Sequence, residues 1–116
     1  MKENVVKDKS FAFAVRIVNL YKFLTETKKE FVLSKQLLRS GTSIGALTRE
    51  AEHAESKADF IHKLSIALKE ANETDYWIEL LFKTNFLSEN EYDTIKGDVL
   101  ELIKLLVSII KSSKTK

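Results

Sequence analysis

Hydrophobic side chains recur every three or four residues along almost the whole chain, which is the period of an α-helix. In the first segment they fall at Phe13, Ile17, Leu20 and Leu24. Short polar stretches interrupt this pattern, so it predicts four helices joined by tight turns. The predicted helices span about residues 8–28, 31–55, 57–85 and 89–112. Residues 1–9 and 112–116 are polar, and we expect both segments to be frayed.

Capping signals mark the start of two of these helices. Ser56 is followed three residues later by Asp59, and Ser88 is followed three residues later by Glu91. In a capping box the serine side chain accepts the third residue's backbone N–H, and the acidic side chain accepts that of the serine. We therefore place the starts of the third and fourth helices at these serines.

Composition strengthens the helical prediction. The chain has 116 residues, a suitable length for one domain with its own core, and it contains three glycines and no proline. Such a chain lacks the turn residues that β-sandwiches and barrels need. The absence of cysteine excludes disulfides and thiolate chemistry. The sequence thus predicts an all-α fold, an antiparallel up-down four-helix bundle forming a single domain over residues 1–116.

Small residues occupy the middle of the second predicted helix, where Gly41 and Gly45 lie four positions apart. A glycine in a helix interior costs about 1 kcal/mol relative to alanine. We expect another helix backbone to approach closely at these two positions, because small side chains on one ridge permit a short interhelical distance. The alternative is that the glycines are merely tolerated.

The fourth predicted helix carries more apolar surface than one core requires. Its apolar positions cover roughly 220° of the helical wheel, whereas a helix that faces a single core needs about 100°. A second apolar seam runs through Leu100, Ile103, Val107 and Ile110. We expect this seam, with surplus apolar surface on the first helix, to contact another copy of the chain in a homo-oligomer. Deeper burial of the fourth helix within one bundle is the alternative.

The charge balance gives a weak indication of the partner. Nineteen basic and seventeen acidic residues leave a net charge of +2, which alone does not indicate a polyanion. One basic group surrounds the second helix and the following turn, at Arg39, Arg49, Lys57 and Lys63. Another lies at the opposite end of the bundle, at Lys28, Lys29 and Lys35. Either group could contact phosphates, and a ring of copies would align them; ordinary pairing with nearby carboxylates is the alternative.

The sequence shows no pattern typical of an active site. Glu50 with His53, and Asp59 with His62, place a carboxylate and an imidazole on one helix face, as di-metal bundle proteins do. Those proteins draw carboxylates from two further helices as well, whereas both pairs here flank one turn. We therefore predict no metal, no cofactor and no catalytic residue. No segment is apolar enough to act as a signal or to span a bilayer, so we expect a cytoplasmic protein without a membrane partner.

Several blocks of the sequence resemble one known family. They are SF at 10–11, QLLRS at 36–40, SIGA at 43–46, REA at 49–51, ESKADF at 55–60, LSIALKEA at 64–71 and ET-x-YW-x-EL at 73–80. Taken together over residues 8–110, they resemble the four-helix-bundle protein family, also known as the 23S rRNA-intervening-sequence proteins. Leu47 and Thr48 depart from the family pattern, which often has asparagine and an aliphatic residue there, so no role of that asparagine is carried over.

The resemblance implies an antiparallel four-helix bundle that assembles into a homopentameric ring. A similar protein accompanies the reverse transcriptase of diversity-generating retroelements, which implies RNA or DNA and a protein such as a reverse transcriptase as partners. The family has no established catalytic activity. We therefore predict a non-enzymatic oligomeric bundle that binds RNA or DNA without sequence preference, or that scaffolds a partner. The alternative is a protein-interaction or structural module that binds no nucleic acid.

Overall fold

The computed structural model describes residues 2–115, which form four α-helices and no strand. The helices are α1 (Lys2–Glu26), α2 (Leu33–Glu52), α3 (Lys57–Lys83) and α4 (Glu89–Lys114). They pack into a rod that measures 47 × 21 × 19 Å. The all-α prediction is confirmed.

Each helix packs against two neighbours, in the cyclic order α1, α2, α3, α4, and then α1 again. Neighbouring helices are antiparallel, because partner numbers fall along one helix as they rise along the next. On α2 and α3, for example, Arg39 pairs with Glu70 while Glu50 pairs with Lys63. The bundle therefore has four sides, each named below by the two helices that form it.

The core follows the heptad positions of all four helices and contains one buried polar pair. Its largest fully buried side chains are Ile17, Leu24, Leu37, Ile44, Leu64, Ile78, Leu81, Ile95, Leu102, Leu106, Val6 and Val99. Between α2 and α3, the buried hydroxyls of Ser40 and Thr74 are hydrogen-bonded to each other at 2.9 Å. Burying two hydroxyls costs little free energy when each satisfies the other.

α1 packs closely against the two glycines of α2, through the Ile17 side chain at Gly41 and through the α1 backbone at Gly45. A Cβ atom at Gly41 would lie 2.8 Å from Cγ1 of Ile17, which is shorter than any relaxed carbon contact. A Cβ atom at Gly45 would lie 3.2 Å from the carbonyl oxygen of Ser10. Alanine at Gly41 would therefore force α1 or Ile17 to move.

The starts of α3 and α4 agree with the capping signals. The Ser56 hydroxyl accepts the Asp59 N–H at 3.0 Å. Ser88 and Glu91 form a reciprocal capping box, with N–H···O distances of 3.1 and 2.8 Å. The Asp59 carboxylate departs from the reciprocal pattern, because it accepts the N–H of Glu55 rather than that of the capping serine.

The outer ends of the bundle are more helical than the polar sequence suggests. α1 begins at Lys2 rather than near residue 8, because Val6 lies in the core and Lys7 forms an ion pair with Glu52 of α2 at 2.9 Å. α4 continues to Lys114, so the prediction of a frayed segment from residue 112 is wrong up to that residue. Met1 and Lys116 lie outside the described residues.

The turn between α1 and α2 is longer than predicted, and a buried glutamate organises it. α1 ends at Glu26, and α2 begins at Leu33 rather than near residue 31. The Glu30 carboxylate accepts the N–H groups of Val32 (3.2 Å), Leu33 (3.0 Å) and Ser34 (2.7 Å). Burial raises the pKa of Glu30, but these hydrogen bonds outweigh it and lower the pKa below its ordinary value of 4.5.

Candidate interaction surfaces

The first predicted phosphate contact, Arg39, is engaged with acidic residues on the α2–α3 side. Its guanidinium donates to Glu70 at 3.1 Å and also to Glu73. The hydrogen bond to Glu73 raises the pKa of Arg39. Trp77 donates its indole N–H to the Glu73 carboxylate at 3.1 Å, and this bond, with that from Arg39, lowers the pKa of Glu73. A phosphate would have to compete with two carboxylates for this arginine.

Lys63 is also engaged with an acidic residue. The Lys63 ammonium forms an ion pair with Glu50 at 3.2 Å across the α2–α3 seam. Lys57 is exposed at the first residue of α3. The structure therefore pairs Arg39 and Lys63 with acids and does not gather the four predicted basic residues into one patch.

Arg49 differs from Arg39 because it turns to the α1–α2 side and lies over an aromatic ring. Its guanidinium carbon is 5.5 Å from the centroid of the Phe11 ring, within the range of a cation–π interaction. Among residues 2–115, Arg49 forms no salt bridge. It borders a groove of about 390 Å³ whose floor includes Gly45.

The same side exposes apolar surface on α1. Phe11 and Val15 are both exposed, one helical turn apart, and Ala46 of α2 is exposed beside the groove. We call Phe11, Val15 and Ala46 the α1–α2 patch. Sequence reasoning attributed surplus apolar surface to the first helix but did not identify these residues. The signal was present, because Phe11 and Val15 fall off the register that Phe13 and Ile17 set.

The second seam of α4 lies on the α3–α4 side, and three of its four predicted residues retain accessible surface. Leu100 is 40% exposed and Val107 is 37% exposed, while Ile103 is half-buried. We call these three residues the α4 stripe. Ile110, the fourth predicted interface residue, is only 8% exposed because it joins the core of its own bundle.

Polar pairs fix the α3–α4 seam beside the stripe. Lys96 donates to Asp75 at 2.6 Å, and this bond raises the pKa of the lysine. The antiparallel register places Ile103, seven residues after Lys96, opposite Leu68, seven residues before Asp75. Both Ile103 and Leu68 are half-buried. The apolar surface of the α3–α4 side therefore extends from α4 onto α3.

The α1–α2 patch and the α4 stripe lie on opposite sides of the bundle, because the α1–α2 and α3–α4 sides share no helix. They also lie at similar heights along the rod. The ion pairs of Lys9 with Glu101 (3.2 Å) and of Arg16 with Asp98 (2.6 Å) place the middle of α1 level with residues 98–101 of α4. Phe11 and Leu100 are thus roughly level, on faces that point away from each other.

The histidine pairs form no cluster in the structure. Glu50 forms an ion pair with Lys63, and the Asp59 carboxylate accepts the backbone N–H of Glu55 just before α3. Within the described part of the chain, no three His, Asp or Glu side chains converge on a metal-binding position.

None of the helices over residues 2–115 combines the length and apolar character needed to cross a lipid bilayer.

Comparison with known proteins finds relatives of the whole chain. A crystal structure of a protein of unknown function from the S23 ribosomal protein family of Bacteroides thetaiotaomicron is 68% identical in sequence. It superposes with a TM-score of 0.95, covering 96% of this chain and 99% of that one. No functionally curated protein matches the chain. A family model described as 23S rRNA-intervening sequence protein matches residues 2–108. The chain therefore belongs to the family of 23S rRNA-intervening sequence proteins.

Proposed function

We propose that this protein is a non-enzymatic scaffold that works as a homo-oligomer, in which the α4 stripe of one copy packs against the α1–α2 patch of the next. The observation that carries the proposal is the exposure of large hydrophobic side chains on two opposite sides of one bundle. Apolar surface is exposed to water at Leu100 and Val107 on one side and at Phe11 on the other. This exposure is unfavourable, and burial against a partner would remove it.

The placement of the two surfaces determines which assemblies can form. Because they are different and lie on opposite sides, their contact is heterologous, and repeating such a contact yields a ring or an open filament. Their similar heights along the rod place successive copies side by side with little axial shift, so the array closes into a ring when each contact also rotates the next copy about a common axis. The homopentamer implied by the family resemblance is one such ring.

Introducing negative charges within the α4 stripe tests this assembly. We expect the double variant Leu100→Glu, Val107→Glu to be a folded monomer, because each carboxylate would have to be buried without a partner in the interface. Sedimentation velocity or light scattering at micromolar concentration measures the change. Tyr76→Glu is the matched control, since Tyr76 is an exposed aromatic residue outside both surfaces and its replacement should leave the mass unchanged.

A mixing experiment distinguishes a heterologous contact from a self-complementary one. Phe11→Glu should also yield a monomer, but each monomeric variant keeps one intact surface. Mixing the Phe11→Glu and α4-stripe variants should therefore produce a one-to-one complex and nothing larger. A monomeric wild-type protein at micromolar concentration would refute the proposal, and a failure of the two variants to associate would refute the heterologous contact.

Sequence-independent binding of RNA or DNA is the second candidate function. The observation that favours it is Arg49, whose guanidinium forms no salt bridge within residues 2–115 and borders a groove that Glu50 also lines. Arg39 and Lys63 support it less, because acids already neutralise them.

Replacing Arg49 tests this candidate. We expect Arg49→Gln to weaken binding of a labelled RNA by about two- to fivefold, equivalent to the 0.5–1 kcal/mol of one exposed ion pair. Lys63→Gln should change it less. Fluorescence anisotropy at several salt concentrations measures both affinity and salt dependence. Equal effects of the two replacements would argue against a specific contribution from Arg49.

A further inference from the structure

The α1–α2 turn presents apolar side chains at one end of the rod. Of the large hydrophobic residues described, the two most exposed are neighbours in this turn: Phe31 is 60% exposed and Val32 is 72% exposed. Neither belongs to the α1–α2 patch or the α4 stripe, and neither contributes to the core. Two neighbouring apolar side chains that stay exposed in the folded protein gain no free energy from burial on folding. Such exposed apolar surface is typical of an interaction site.

This turn is held rigidly. Three backbone N–H groups converge on the Glu30 carboxylate, and the N–H of Glu30 donates to the carbonyl oxygen of Leu24 at 2.9 Å. The Ser34 hydroxyl donates to the carbonyl oxygen of Glu30 at 2.7 Å. Phe31 and Val32 are therefore displayed in one backbone conformation, and a ligand would not have to bear the entropy of ordering it.

Three exposed lysines, Lys28, Lys29 and Lys35, flank the apolar pair. Within residues 2–115, none of them forms a salt bridge, and the Lys28 ammonium lies 5.7 Å from the centroid of the Phe23 ring. The nearest acidic side chain in the turn, Glu30, is buried against backbone N–H groups and does not pair with them. We call residues 28–35 the turn tip.

We propose that the turn tip is a binding site for single-stranded nucleic acid, in which the Phe31 ring stacks on an unpaired base and the three lysines contact the flanking phosphates. An exposed aromatic ring beside unpaired cations supplies the two interactions that strand binding without sequence preference requires. Val32 would cover the apolar edge of the stacked base or its sugar. The site lies at the opposite end of the rod from Arg49, Lys57 and Lys63, and Arg39 follows Lys35 by one turn of α2.

A narrow polyanion fits this end of the rod better than a flat anionic surface does. The α3–α4 turn lies at the same end, and the first turn of α4 there carries Glu89 and Glu91. A membrane would bring these carboxylates against its own negative charge, whereas a single strand can contact the turn tip alone. In a side-by-side ring, every copy would present its turn tip on one rim, so one strand could engage several sites.

Anisotropy titrations of the full-length protein with labelled oligouridine, oligodeoxythymidine and a DNA duplex test the proposal, which rests on the second candidate function. We expect both single strands to bind more tightly than the duplex. Phe31→Ala should weaken single-strand binding at least about fivefold while leaving its salt dependence unchanged. The triple variant Lys28→Gln, Lys29→Gln, Lys35→Gln should weaken binding and reduce the slope of log K against log salt by about two.

The matched control removes three exposed lysines elsewhere, with Lys69→Gln, Lys104→Gln and Lys111→Gln, and should bind nearly as the wild type does. Circular dichroism and sedimentation check that each variant keeps its fold and mass. If the wild type binds strands and the turn variants bind equally well, the turn tip is not the site, although nucleic-acid binding survives. If the wild type binds no strand, both are wrong, while the oligomeric scaffold is unaffected. Phe31-dependent binding to anionic vesicles in preference to strands would also overturn the proposal.

Discussion

Replacing Gly41 by alanine is expected to destabilise the protein by about 1–2 kcal/mol, whereas the same replacement at Gly97 should stabilise it by up to about 1 kcal/mol. Both glycines are helical and gain the same propensity from a methyl group. They differ in their surroundings: a Cβ atom at Gly41 meets Ile17 at 2.8 and 2.9 Å, while nothing lies within 4 Å of one at Gly97. Ile17 is fully buried, so its side chain can shift only against its core neighbours.

A second replacement identifies the cause of the Gly41 effect. Ile17→Ala removes all three Ile17 side-chain atoms that the new methyl group would meet. In that background, Gly41→Ala should cost nothing or should stabilise the protein, although Ile17→Ala alone costs about 2–5 kcal/mol. Urea unfolding at one fixed protein concentration measures these free energies, since an oligomer's stability depends on concentration. Changes of the same sign at Gly41 and Gly97 would contradict close packing of α1 on α2.

Replacing Glu30 by alanine is expected to cost about 2–3 kcal/mol at neutral pH, because it removes the acceptor that caps α2 with three charge-assisted hydrogen bonds. The exposed residue Glu26, at the end of α1, provides the control. No hydrogen bond or ion pair of its side chain is found in the described structure, so Glu26→Ala should change the free energy of unfolding by less than about 0.5 kcal/mol.

The contribution of Glu30 should also depend on pH, in a direction that its pKa fixes. Folding lowers this pKa below 4.5, so the unfolded chain takes up the proton more readily than the folded protein does. The stabilisation is complete above the unfolded value and is lost as the pH falls through the folded value. The difference in stability between the wild type and Glu30→Gln should therefore narrow from about pH 7 to about pH 3. An unchanged difference would mean that the charge of Glu30 does not matter.

Sequence reasoning located those parts of the fold whose signals are local. The starts of α3 and α4 follow from Ser56 and Ser88, whose capping partners lie three residues away. The start of α2 was misplaced because its cap comes from Glu30, a buried glutamate that lies outside the usual capping position. The predicted start of α1 was too late because a single core residue, Val6, provides almost all the apolar signal of the first two turns.

The interaction surfaces were harder to predict because they depend on the register between helices. The sequence of α2 alone gives Arg39 no acidic partner. The packing of α3 against α2 brings Glu70 and Glu73 into contact with it. Ile110 belongs to the second seam of α4 on a helical wheel, yet packing at the bundle end buries it in the core. A single helix's periodicity gives the width of its apolar arc, but not which neighbour covers each part.

The hydrogen-bonded hydroxyls of Ser40 and Thr74 have a consequence for the uniqueness of the fold. Long heptad helices can slip past one another by seven residues and still match apolar layers, so apolar periodicity alone does not fix the alignment of α2 and α3. Such a slip would bring Ser40 opposite Ala67 or Leu81 and remove the hydrogen bond between the two hydroxyls, while the Thr74 hydroxyl would keep its hydrogen bond to the carbonyl oxygen of Glu70. The Ser40–Thr74 hydrogen bond therefore favours the observed register of α2 and α3 over slipped alignments that the surrounding leucines and isoleucines would accommodate.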